Sequence, residues 1–136
     1  MESIPSVIAI LICDRIIVEA GTGKKSVIGV FGELRGHTLP MVVPIGFYAR
    51  LTDAEGKYIF RVDVVYSNES EQIGRLETEP IAVANRLGFV ELALNLPPLP
   101  FPRFGRYEFQ LYGNDVYLGH VTMDVCQIGE TGHGSA

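Results

Sequence analysis

From residue 45 to residue 125 the chain alternates apolar and polar side chains in short runs broken by turn residues. A period of two puts every second side chain on the same face of a strand, so each run must hide one face and can wet the other. No stretch repeats its apolar residues every 3.6 positions over a helical length; at most one turn of helix is expected near residues 81–86. The pattern predicts an all-β, two-sheet, immunoglobulin-like antiparallel sandwich of about eight strands. At 136 residues, a single domain over 1–128 is expected, followed by a flexible tail over 129–136 of linker-like composition.

Residues 45–52 and 57–66 read as a hairpin closed by Asp53-Ala54-Glu55-Gly56. Pairing Thr52 with Lys57 puts Leu51/Tyr58, Ala49/Phe60, Phe47/Val62 and Ile45/Val64 on one apolar face, and Arg50/Ile59, Tyr48/Arg61 and Gly46/Asp63 on the other. A long first strand is expected over 7–19, bent near Asp14-Arg15, and a second over 26–35. Gly29 and Gly32 inside the second mark a bulge or a close backbone approach. Residues 36–44 read as an extended connection crossing between sheets, 72–78 as an edge strand, and 97–102 as a proline loop. The turn at Gly113-Asn114-Asp115 is expected to hold three loop residues, pairing Tyr107 with Val121; a bulge at Leu118-Gly119 is the alternative. The expected core is Phe47, Phe60, Val62, Val64, Val90, Leu92, Leu94, Tyr107, Phe109, Leu111, Val121 and Met123.

Composition narrows the function classes. A net charge of −5, with no basic cluster beyond Lys24-Lys25, argues against a nucleic-acid partner. The apolar run over 7–13 is too short for a membrane helix. It follows Glu2 rather than a basic segment and meets Asp14-Arg15 without a cleavage site, so a buried strand, no membrane partner and a cytoplasmic location are expected. In that compartment Cys13 and Cys126 stay reduced. Gly21-Thr22-Gly23-Lys24-Lys25-Ser26 imitates the end of a phosphate loop. Val18 stands where its first glycine belongs and Lys25 where its hydroxyl residue belongs, so the segment reads as a hairpin turn. His37, His120 and His133 show no metal-ligand spacing, and neither cysteine has an activating context. No catalytic residue, metal or cofactor is predicted. Leu96-Pro97-Pro98-Leu99-Pro100 holds a P-x-x-P step that a stiffened connection explains.

The candidate binding residues are Tyr48, Arg50, Arg61 and Phe89, expected on an exposed sheet face with Tyr48 opposite Arg61 in cation–π range.

Leu11-Ile12-Cys13-Asp14-Arg15-Ile16-Ile17-Val18, a Gly-Lys turn and Ser26-Val27-Ile28-Gly29-Val30-Phe31 together resemble the start of an uncharacterised bacterial family of small β-sandwich proteins. Pro102-Arg103-Phe104-Gly105-Arg106-Tyr107-Glu108-Phe109-Gln110-Leu111 resembles the penultimate strand of immunoglobulin-like domains. The resemblance implies the fold, a structural tyrosine corner at Tyr107 and no catalytic residue.

A non-catalytic module for protein–protein interaction or self-assembly is therefore expected, with a small-ligand or carbohydrate-binding sandwich as the alternative. In the first strand Ile8, Ile10 and Ile12 are expected on one face and Val7, Ala9, Leu11 and Cys13 on the other. An apolar second face needs a cover, and a homodimer with this strand near its interface would supply one.

Overall fold

The computed structural model describes residues 3–129. It contains eleven strands: β1 (Ser6–Val18), β2 (Lys25–Val30), β3 (Glu33–Gly36), β4 (Met41–Thr52), β5 (Gly56–Tyr58), β6 (Phe60–Tyr66), β7 (Glu71–Glu77), β8 (Ile81–Val83), β9 (Phe89–Phe101), β10 (Gly105–Gly113) and β11 (Val116–Gln127). Alternation makes one face of each long strand apolar, and two sheets stack to hide those faces. One sheet has the order β2-β1-β4-β9 and the other β3-β11-β10-β6-β7, with β5 and β8 forming a small ribbon. Between the sheets lie Ile12, Phe47, Ala49, Leu51, Leu92 and Leu96 from one side. Phe60, Val62, Val64, Tyr107, Phe109, Leu111 and Met123 meet them from the other. Of the expected core residues, Leu94 and Val121 are partly rather than fully buried.

The expected hairpin over 45–66 is not formed. β4 pairs with β1 and β9, whereas β6 pairs with β10 and β7. Their apolar faces do meet, but across the core. Alternation identifies a buried face without naming the strand beside it, because stacked strands and paired strands carry the same pattern. Between them the chain changes sheets: β5 pairs with β8, and Ala54 and Tyr58 are buried in the core. The Tyr58 hydroxyl donates to the Ser3 carbonyl at 2.7 Å and accepts the Glu55 N–H at 2.9 Å.

Other expectations are corrected in the same way. The strand read over 26–35 splits at Phe31-Gly32 into β2 and β3, which belong to different sheets, and β3 runs parallel to β11. The segment read as a helical turn, 81–86, begins as β8. The proline loop over 97–102 is the second half of β9, with Leu99 and Pro100 opposite Val43 and Val42. Proline is tolerated there because β9 is an edge strand and its missing N–H groups cost no ladder. The count rises from about eight to eleven chiefly because these connections are themselves paired. The edge expected at 72–78 is β7, and the connection over 36–44 crosses between sheets, although its last residues already belong to β4. Beyond Gly129 the tail lies outside the described residues.

The β10–β11 turn holds two residues, not three. Asn114 and Asp115 have φ of 49° and 65°, the left-handed pair of a type I′ turn. Gly113 faces Val116 and Tyr112 faces Tyr117; then the register shifts by one residue beside Leu118, so that Phe109 faces Val121 and Tyr107 faces Met123. The bulge restores inward alternation. Asn114 also clamps the neighbouring chain, accepting the Ile59 N–H at 2.9 Å and donating to the Lys57 carbonyl at 2.9 Å. In β1 the register shifts between Val7 and Ala9, which turns Val7 toward the core with Ile10 and Ile12 and leaves Ile8 exposed. The faces expected for Val7 and Ile8 are therefore exchanged.

Tyr107 forms the tyrosine corner of an immunoglobulin-like sandwich. Its hydroxyl donates to the Arg103 carbonyl at 2.8 Å and accepts the Arg103 N–H at 3.0 Å. Its ring meets Phe101 edge-on at 5.1 Å and Tyr66 at 5.1 Å. This contact fixes the loop that carries the chain from β9 in one sheet to β10 in the other.

Truncating Phe109 to Ala is expected to cost about 3–5 kcal/mol, read as a lower urea midpoint, because its ring is fully buried between the sheets. Tyr107→Phe keeps the ring but leaves the partly buried Arg103 N–H and carbonyl without their hydroxyl. A loss of about 1–3 kcal/mol by the same measurement is expected.

Candidate functional site on the outer face of the four-stranded sheet

The residues of β4 that point away from the core are Gly46, Tyr48, Arg50 and Thr52. On β9 they face Asn95, Ala93, Glu91 and Phe89, and on β1 Gly46, Tyr48 and Arg50 face Cys13, Leu11 and Ala9. Three of the four predicted binding residues, Tyr48, Arg50 and Phe89, thus share one face. Arg61 does not join them. It lies on the outer face of the five-stranded sheet, its guanidinium 4.2 Å from the Tyr112 ring centroid, paired with Asp63 at 3.2 Å and with Asp115. Asp63, 5% exposed, also binds Arg75 at 2.9 Å. The predicted Tyr48–Arg61 contact fails for the same reason as the hairpin.

At one end of the face Arg50 lies flat over Phe89, 3.6 Å from the ring centroid. Phe89 is nevertheless 55% exposed, with Leu87, 88% exposed, two residues before it and Ile8, 56% exposed, on β1. This cation–π pair was not the expected one: Tyr48 and Arg61 lie in different sheets, and Arg61 stacks on Tyr112 instead.

At the other end the face is roofed by the chain itself. Gly46 has no side chain, and the backbone of β1 uses the space: a Cβ on Gly46 would lie 3.1 Å from Arg15 Cα and 2.7 Å from Cys13 Sγ. β1 leaves β4 at Cys13 and continues as a hairpin with β2 alone. That hairpin crosses the outer face toward β9. Asn95 accepts the Ile16 N–H at 2.9 Å and donates to the Ile16 carbonyl at 3.0 Å, replacing one rung of a ladder with a side-chain amide. Lys25 pairs with Glu91 at 3.2 Å, and Tyr48 donates its hydroxyl to the same carboxylate. Ile16 is buried, whereas Ile17 and Ile28 on the opposite face of the hairpin stay exposed. Beside the crossing an open groove of about 510 Å³ is lined by Asp14, Arg15, Ile17, Pro44, Asn95 and Leu96 among others.

The hydrogen bond from Tyr48, with the nearby Lys25, lowers the Glu91 pKa against the opposing effect of burial. Burial and that same bond raise Tyr48. Gly46, Asn95, Glu91 and Lys25 were absent from the predicted site. The signal that could have found them is Gly46, a glycine inside an otherwise alternating strand, which marks a close backbone approach. At Gly29, where φ is +71°, the Asp14 side chain rather than another backbone fills the space and the ladder runs without a register shift, and a Cβ on Gly32 would meet nothing.

The two cysteines are free and lie in different sheets. Cys13 is buried, its thiol donating to the Arg15 carbonyl at 3.3 Å, and burial raises the pKa of both thiols. The Gly-Lys segment is the β1–β2 turn, closed by Glu19 N–H to the Lys24 carbonyl at 2.8 Å. Among the described residues no group of three or more His, Cys, Asp and Glu side chains is placed to hold a metal ion, and no helix is long and apolar enough to cross a membrane. His120 meets the Tyr117 hydroxyl at the β11 edge; His133 lies outside the described residues.

Because the Glu91 pKa is depressed in the folded state, its carboxylate contributes stability above the unfolded glutamate range, and that contribution is lost as pH falls through the folded value. Glu91→Gln is expected to be less stable than wild type at neutral pH. The gap between their urea midpoints should narrow as pH is lowered through the carboxylate range.

No curated protein sequence matches this chain. Among solved structures, the C-terminal domain of wzt is similar over 89% of this chain and 72% of that one, at 12% identity and a TM-score of 0.55, a likeness of fold alone. An immunoglobulin-like protein from Pseudomonas aeruginosa aligns over 90% of this chain and 97% of that one, at 12% identity and a TM-score of 0.38. The profile of a family of unknown function, DUF6941, matches residues 8–126, which takes in the strands of both sheets, the Gly46 crossing and all four predicted binding residues. The chain belongs to this family, DUF6941.

Proposed function

We propose that this β-sandwich is a non-catalytic binding module that engages a protein surface, in the first instance a second copy of itself, through the open end of the outer face of the four-stranded sheet. The observation that carries this reading is Arg50 stacked on the ring of Phe89, which stays more than half exposed at the open end of the face. Aromatic side chains and arginine are enriched where protein interfaces desolvate, and a guanidinium stacked on a ring still offers its planar N–H fork to a partner. β4 and β9 hold Arg50 and Phe89 on paired strands, so little ordering entropy opposes docking there. Self-association suits the charge layout. Arg50 and Glu91 are cross-strand neighbours, and a twofold axis beside them sets each against its opposite in the partner copy. Ile8 extends the same surface onto β1, the strand expected near the interface.

The open groove beside the hairpin crossing favours a second reading, a small polar ligand held by Asp14, Arg15 and Asn95. The two readings separate by experiment. Light scattering at micromolar concentration should give a mass near twice 14.9 kDa for wild type and a monomer for Phe89→Glu with an unchanged melting temperature. A wild type that stays monomeric at every soluble concentration overturns self-association. Retained dimer in Phe89→Glu moves the interface elsewhere.

A further inference from the structure

We propose that the β1–β2 hairpin is a hinged strap, able to lift from the outer face of the four-stranded sheet while the sandwich stays folded. Cys13, opposite Val30, forms its base, and the segment beyond that rung has a ladder only within the hairpin. Its attachment to the sheet consists of the Asn95 amide on Ile16, the Lys25–Glu91 pair and the buried side chain of Ile16. The half-buried ion pair and each neutral hydrogen bond contribute about 1 kcal/mol apiece, and the buried Ile16 side chain about 1.5–3 kcal/mol, a total below that of a whole domain. The strands below are held instead by long ladders on both sides of β4 and by the shared core. Local opening below the global unfolding free energy is expected of such an element.

The hinge is built into the sequence. Gly46 lets β1 pass over β4, and Gly29, at φ +71° against the Asp14 side chain, lets the second leg bend beside the first. Below the strap the sheet presents Ala93, whose small side chain leaves room for the crossing, and Tyr48. When the strap lifts, the Glu91 carboxylate loses Lys25 but keeps Tyr48, and Tyr48 and Ala93 join the surface that carries Arg50 and Phe89. The strap thus sets how much of that surface a partner can reach. This consequence rests on the docking reading above; the opening itself does not.

Cys13 reports the opening, because its thiol is 0% exposed beneath the crossing. A Cys126→Ser background leaves it as the single thiol. Labelling with a disulfide reagent under native conditions is compared with global stability from urea unfolding. The strap predicts that Cys13 reacts through an opening cheaper than global unfolding and nearly independent of low urea concentrations. It also predicts that Asn95→Ala speeds labelling by about tenfold and lowers global stability by no more than that same factor. Native-state hydrogen exchange gives the second readout: residues 15–28 should exchange before the β4 and β10 amides. Cys13 labelling that follows the global unfolding equilibrium, with 15–28 protected as long as β4, overturns the strap. These measurements do not depend on dimerisation, so a monomeric wild type with a mobile hairpin refutes the docking surface and leaves the strap standing.

Discussion

Burying two apolar faces against each other is the constraint on which this molecule depends. β4 and β9 each present one apolar face, and so do β6 and β10; neither sheet can hide its own. Stacking them places Phe47, Ala49 and Leu51 against Phe60, Val62, Phe109 and Leu111. At roughly 25 cal/mol per Å² of apolar surface removed from water, this burial dominates the stability of the domain. Once the inner faces are committed, every second residue of these strands must point outward. The candidate site is a by-product of that geometry: Tyr48, Arg50, Glu91 and Phe89 occupy the positions the core does not need.

The sandwich closes its corners with side chains that satisfy backbone groups. Tyr107 supplies both partners for Arg103, Asn114 ties the β10–β11 turn to Lys57 and Ile59, and Asn95 holds Ile16. In each case a polar side chain stands in for a strand that cannot continue, which keeps backbone donors and acceptors paired where the ladder ends. The exposed edges are treated differently. Prolines occupy the second half of β9, charged and amide side chains line β7, and register shifts distort β1 and β11 where each lacks an outer neighbour. These features discourage pairing of one molecule with another by strand addition. They leave a face, rather than an edge, as the surface suited to contact.

The outer face has two regimes, four residues apart along β4. At Gly46 the chain covers its own sheet, and at Arg50 and Phe89 the sheet is open. The switch between them is one missing side chain. With a Cβ at position 46, Cys13 Sγ and the Arg15 backbone would both have to shift away from β4. Glu91 stands between the two regimes, holding Lys25 of the hairpin and Tyr48 of the sheet, so its ionisation couples them.

What the sequence determined by itself was the inward face of each strand. The alternation over 45–125 identified Phe47, Phe60, Val62, Leu92, Tyr107 and Phe109 as core, because burial acts on every second residue whatever strand lies alongside. The resemblance of the Gly-x-Tyr-x-Phe run to an immunoglobulin-like strand implied the tyrosine corner at Tyr107, a contact that spans only four residues. What only the tertiary structure decided was which strands are neighbours. A period of two is the same for strands paired in one sheet and strands stacked in two. Thus β4 and β6 read as a hairpin, Tyr48 and Arg61 read as facing each other, and prolines that lie on an edge strand read as a loop. The roof over Tyr48 belongs to the same class. It depends on Asn95, Glu91 and Lys25 meeting across 66 to 79 residues of chain, and such contacts leave no periodic trace in the sequence.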